Sequence, residues 1–115
     1  MTTKRPHIPN DEMFKLLRMG QTKEFNALRE HGKKCDLMGT DLRGCDLRGL
    51  DASGLDMSNC YLRQSDLRGV DFSETILAGA SIHNAQIGGT LFPRQLSSSE
   101  IRLSYEVGTR MRYRG

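Results

Sequence analysis

Asp36-Leu37-Met38-Gly39-Thr40, Asp41-Leu42-Arg43-Gly44-Cys45, Asp46-Leu47-Arg48-Gly49-Leu50, Asp51-Ala52-Ser53-Gly54-Leu55: four successive stretches of this chain repeat one five-residue phrase. The phrase continues through Asp56-Met57-Ser58-Asn59-Cys60, Tyr61-Leu62-Arg63-Gln64-Ser65, Asp66-Leu67-Arg68-Gly69-Val70 and Asp71-Phe72-Ser73-Glu74-Thr75. It then loosens through Ile76, Ser81 and Gln86 to Leu91-Phe92-Pro93. A period of five suits neither regular element. Every fifth residue of an α-helix is rotated by about 140° from the last, and an odd step along a strand changes face each time.

The second position of each unit is nevertheless apolar: Leu37, Leu42, Leu47, Ala52, Met57, Leu62, Leu67, Phe72, Leu77, Ile82, Ile87 and Phe92. These residues share an interior only if the chain turns a corner once per unit and coils into a solenoid. The residue before each unit is usually small, as a second inward site near a corner requires, with Leu50 and Leu55 the large exceptions. Gly fills the fourth position at 39, 44, 49, 54, 69, 79 and 89, where a tight bend takes φ values that other residues resist; Asn59 and Asn84 are the next best occupants.

The run resembles the pentapeptide-repeat proteins, whose units read small residue, Asp or Asn, Leu or Phe, and two freer positions. The resemblance implies a right-handed quadrilateral β-helix, an all-β solenoid with four units per coil. Units twenty residues apart then stack, giving columns Leu37/Met57/Leu77, Leu42/Leu62/Ile82, Leu47/Leu67/Ile87 and Ala52/Phe72/Phe92. Twelve units make about three coils, a rod section of about 14 Å at the usual strand spacing.

Outward from the repeats, the chain divides into a flexible basic arm over 1–9, a helical cap over 10–34, the repeat body over 35–94, and a helix with a basic tail over 95–115, all one structural domain. In the N-terminal part, Asn10 suits an N-cap, Asp11 and Glu12 a first turn, Met13, Phe14, Leu16 and Leu17 an apolar side, and Gly20 a stop. A second helix has Thr22 as cap, Phe25 and Leu28 as anchors and Gly32 as terminator. The hairpin is expected to cover the open first coil, since a bare solenoid end exposes apolar side chains and unpaired edges. Beyond Pro93, Ser97 and Glu100 have capping-box spacing and Leu96 and Ile101 hydrophobic-staple spacing, so a helix runs from there to Gly108 as a second cap.

The last residues, Arg110-Met111-Arg112-Tyr113-Arg114, alternate with the period of a strand and are the candidate interaction residues. They suit docking on their own chain or a homodimer contact, and their arginines suit phosphate.

The net charge of +3 is unevenly distributed: residues 1–34 carry +4, 35–92 carry −4 and 93–115 carry +3. Asp46, Arg48, Asp66 and Arg68 are expected on one face as acidic and basic columns with weak surface pairing. Cys35, Cys45 and Cys60 fall in the small inward slot and read as reduced core residues; there is no Cys-x-x-Cys. No catalytic, cofactor-binding or metal-binding set is legible. His7, His31 and His83 stand apart without a nucleophile, the aspartates follow the repeat, and the glycines lack the Lys-Ser or Lys-Thr of a phosphate loop. No apolar run is long enough to cross a membrane, and the start lacks a secretory apolar segment, so a cytoplasmic location is expected.

The residues therefore point to a non-enzymatic module for protein interaction. The resemblance adds one alternative, mimicry of duplex DNA to modulate DNA gyrase or another DNA-binding protein, and the basic ends add a second, weak nucleic-acid binding.

Overall fold

The computed structural model describes residues 12–114. The expected arm over 1–9, the Asn10 cap and Asp11 lie outside the described residues.

Repeats stack with a step of twenty residues. Parallel bridges join Asp41 to Tyr61, Tyr61 to Ser81, Asp46 to Asp66, Asp66 to Gln86, Asp56 to Ile76 and Asp71 to Leu91. Four units therefore complete one circuit, and equivalent units form four sides: a first (36–40, 56–60, 76–80), a second (41–45, 61–65, 81–85), a third (46–50, 66–70, 86–90) and a fourth (51–55, 71–75, 91 onward). The ladder is regular. Leu42 N–H donates to Tyr61 O at 2.9 Å, Gly44 N–H to Arg63 O at 2.9 Å, and Tyr61 N–H returns to Thr40 O at 3.0 Å.

The expectation of an all-β solenoid between helical caps needs one correction: among the described residues the β pairing consists of isolated bridges, with no extended strand. Each side spans five residues, and the corner turn takes most of them. One bridge residue per unit is what remains.

The corners obey the fourth-position rule with two departures. Left-handed backbone occurs at each of the seven predicted glycines and at Asn59 (φ 60°) and Asn84 (φ 56°), but also at Gln64 (φ 59°), which has no such preference. Glu74 does not adopt positive φ, and its carbonyl rather than that of Ser73 accepts from Gly54 N–H at 2.9 Å, so the ladder slips by one residue at that corner.

The core is the second-position column. Ten of those residues, Leu37 to Ile82, are at most 2% exposed. Ile87 and Phe92 are only partly buried, a correction to the expectation that all twelve sit inside. The buried hydroxyls beside the core are satisfied by carbonyls: Thr40 Oγ1 donates to Leu37 O at 2.8 Å, Thr75 Oγ1 to Ala52 O at 2.7 Å and Ser65 Oγ to Leu62 O at 2.5 Å. A buried polar group with a partner costs little, and so Thr and Ser replace Cys or Ala there without penalty.

Helix α1 (Glu12–Arg18) and helix α2 (Thr22–Glu30) pack Met13, Phe14, Leu17 and Phe25 into the same core. Helix α1 ends as its glycine predicts, with Gly20 N–H on Leu17 O and Gln21 N–H on Leu16 O. Thr22 is not the cap of α2. Gln21 holds that place without a side-chain bond, and Thr22 is the first helical residue, its hydroxyl drawn away to Arg48 O at 2.8 Å. Helix α3 (Ser98–Val107) begins on Ser97, whose hydroxyl accepts from Glu100 N–H at 3.1 Å, and ends on Gly108 at φ 81°. The reciprocal half of the capping box is missing, because the Glu100 carboxylate accepts instead from Arg112 N–H at 2.8 Å and Arg112 Nη2 at 3.1 Å.

Candidate interaction surfaces

Stacking by backbone leaves a solenoid with two raw ends, and the two are closed differently. At the first coil, the carbonyls of the first and third positions have no coil below to donate to them. The helices supply side chains in its place. Arg18 Nη1 donates to Arg43 O at 2.7 Å and Thr22 to Arg48 O. Arg29 spans two carbonyls with one guanidinium, Nη1 to Asp51 O at 2.7 Å and Nη2 to Ser53 O at 2.8 Å. Asn26 replaces a whole peptide group: Nδ2 donates to Gly49 O and Oδ1 accepts from Asp51 N–H, both at 2.9 Å.

At the last coil it is N–H groups that need partners. On the first side, Leu77 N–H donates to Tyr113 Oη at 2.9 Å and Gly79 N–H to Met111 O at 2.7 Å, while Met111 N–H donates to Ala80 O at 2.8 Å. On the second side, Ile82 N–H meets Ser104 Oγ at 3.0 Å and Asn84 N–H meets Tyr105 O at 3.2 Å. The third side has no such cover. Ile87 and Gly89 N–H have no acceptor among the described residues, and Leu91 beside them is 57% exposed.

The candidate residues 110–114 lie on their own chain. Met111 is fully buried, Tyr113 half-buried, and Arg110 stacks 5.1 Å from the Tyr61 ring centre while donating to its hydroxyl at 2.7 Å. Arg112 pairs with Glu100, and Arg114 Nη2 donates to Arg94 O at 2.6 Å. Hydrogen bonding to Arg112 holds the Glu100 carboxyl below its usual range. Of the three tail arginines, Arg112 is neutralised by Glu100, while Arg110 and Arg114 form no ion pair among the described residues. Spacing in the sequence carried no signal of this division.

The sides differ in charge. On the third side, Arg48 forks onto Asp46 (Nε 2.9 Å, Nη2 2.8 Å), Arg68 forks onto Asp66 (2.9 and 2.7 Å), and Arg48 also reaches Asp66 at 3.3 Å, so the predicted columns form and neutralise each other. The Arg48 hydrogen bonds hold the Asp46 carboxyl down at about 2. On the second side Tyr61 and Ser81 stand where the pattern has Asp, above Asp41, while the third positions read Arg43, Arg63 and His83.

His31 Nδ1 lies 2.8 Å from Ala27 O and His83 Nδ1 lies 3.1 Å from Tyr105 O. Burial pushes the Cys60 and Cys45 thiols up; Cys60 donates to Leu37 O, and Arg18 Nη1 lies 3.0 Å from Cys45 Sγ. Among the described residues no group of three His, Cys, Asp or Glu is placed to hold a metal ion, and no helix is long and apolar enough to cross a membrane.

A family model described as pentapeptide repeats matches residues 35–58 and 56–92, with eight copies, over half of the chain. The chain belongs to the pentapeptide-repeat family. Pentapeptide repeats imply a right-handed β-helix, in agreement with the twenty-residue step of the bridges. No curated protein and no solved structure matches the chain.

Proposed function

We propose that the protein is a non-enzymatic interaction module, a right-handed quadrilateral β-helix of about three coils that works in the cytoplasm and receives a protein partner at its C-terminal end. In this reading residues 10–34 and 95–115 serve the body as caps, and no cofactor takes part. The carrying observation is the uncovered edge from Ile87 to Phe92. It combines unpaired N–H groups, two half-buried core residues and the exposed Leu91, the features that strand addition to a sheet edge uses. A second copy of the chain and a different protein are both occupants of the right chemistry. The DNA-mimic reading draws less support, because on the third side Asp46 and Asp66 are matched by Arg48 and Arg68, and the acidic residues of the other sides are few in a chain whose net charge is +3.

A photo-crosslinking residue placed at Leu91 in the full chain, expressed in its native cell, is expected to give a covalent adduct that the same residue at exposed Met38 does not. An adduct of twice the chain's mass identifies a homodimer; any other mass identifies a foreign partner. Equal labelling at both positions, or none at Leu91, removes the proposal. Inhibition of gyrase supercoiling by the purified protein would instead favour DNA mimicry.

A further inference from the structure

Arg18 comes from α1, Arg63 from the repeats and Arg110 from the tail, and the fold brings all three to the second side. Arg18 sits under the Asp41–Arg43 backbone, Arg63 reaches Ser81 Oγ at 3.3 Å and Gly108 O at 2.9 Å, and Arg110 lies on Tyr61. Their hydrogen bonds go to neutral oxygens, to a thiol and, for Arg110, to a phenol. None of the three forms an ion pair among the described residues, unlike Arg43, Arg48 and Arg68. The one carboxylate on this side, Asp41, is already forked by Arg43 at 2.8 and 2.7 Å. The side thus presents three guanidinium groups outside any ion pair, with Asp41, which feels both Arg43 and Arg18, as its one carboxylate, in a chain whose repeat body is acidic overall. Tyr61 lies among them, and at the upper corner the carbonyl of Tyr105 meets His83 and Asn84 while the side chain remains exposed.

We propose that this side binds the phosphodiester backbone of single-stranded nucleic acid. Phosphates answer the unpaired guanidinium groups, which retain N–H donors beyond those their carbonyl contacts use. The exposed Tyr105 ring offers a base the stacking surface that single-strand sites combine with positive charge, while Arg110 already covers a face of Tyr61. An acidic peptide would satisfy the charge and make no use of the ring. This inference is independent of the protein-binding edge, which lies on the adjacent third side.

The test is fluorescence anisotropy of a labelled 20-mer oligothymidylate with the full chain, titrated between 50 and 200 mM salt. Three phosphate contacts predict affinity falling about twentyfold over that range. Arg63→Gln and Arg110→Gln are each expected to weaken binding about eightfold at 50 mM salt. Arg68→Gln removes the same charge from the neutral third side and should leave binding unchanged, and Arg63→Lys should restore it. Thermal unfolding of each variant confirms that it is folded. Absence of binding at 50 mM salt, or equal weakening by Arg63→Gln and Arg68→Gln, overturns the proposal. Oligoglutamate competing as well as the oligonucleotide overturns it in favour of an acidic protein.

Discussion

The N-terminal end of the solenoid is closed by side chains and the C-terminal end largely by backbone. A helix uses its own peptide groups internally, so α1 and α2 have only side chains to offer the first coil: Arg18, Thr22, Asn26 and Arg29. The last coil meets chain that has left the helix. Met111 pairs with Gly79 and Ala80 through its peptide groups, and Tyr105 contributes one of the carbonyls that the end of α3 leaves unpaired. Side chains of different length reach three sides at the N-terminal end. A single short tail and one helix reach two sides at the other, and Ile87 to Phe92 stay open.

The strongest way to break this comparison is Phe25→Ala. Phe25 is fully buried under the first coil, so its truncation is expected to cost about 3–5 kcal/mol in denaturant unfolding. A loss under 1 kcal/mol would mean that the hairpin is not part of the cooperative core. Asn26→Ala comes next. Removing the peptide surrogate leaves Gly49 O and Asp51 N–H to water, with an expected loss of about 0.5–1.5 kcal/mol and faster exchange at the Asp51 amide than at Met111.

Acid should distinguish the ends further. The folded Glu100 carboxyl is held below its usual range by Arg112, so its contribution is present above the unfolded value of about 4.3 and is lost as pH falls through the folded value. Amide exchange at Arg112 should therefore rise as pH drops below about 4.3, after correction for intrinsic exchange, and Glu100→Gln should abolish the excess rise. Identical profiles for the two proteins would show that the carboxylate does not hold the tail. The smallest effect is expected at Leu91→Lys. On an uncovered edge it should change stability by no more than about 0.5 kcal/mol, and a loss above 1 kcal/mol would show that the edge is covered.

Much of this was legible along the chain. Asp at position one and an apolar residue at position two announced the five-residue period, the family resemblance implied the twenty-residue step, and the Ser97 and Gly108 signals marked α3 within a residue. Gln64 was legible as a corner from its fourth position but not from its residue type, and Glu74 was not legible as the exception whose carbonyl takes the Gly54 N–H. The open third side was hidden too: Ile87 matches Ile82 in type, and only the reach of α3 and the tail separates them.

By itself the sequence determined the period, the inward column and the positions of the helices, since each depends on residues close together in the chain. The tertiary structure decided which arginines are neutralised, which carbonyls the hairpin serves and which edge stays bare. Those outcomes depend on distance in space between Arg18, Arg63 and Arg110 or between Glu100 and Arg112, and a one-dimensional pattern carries no record of which side of the coil a cap will reach.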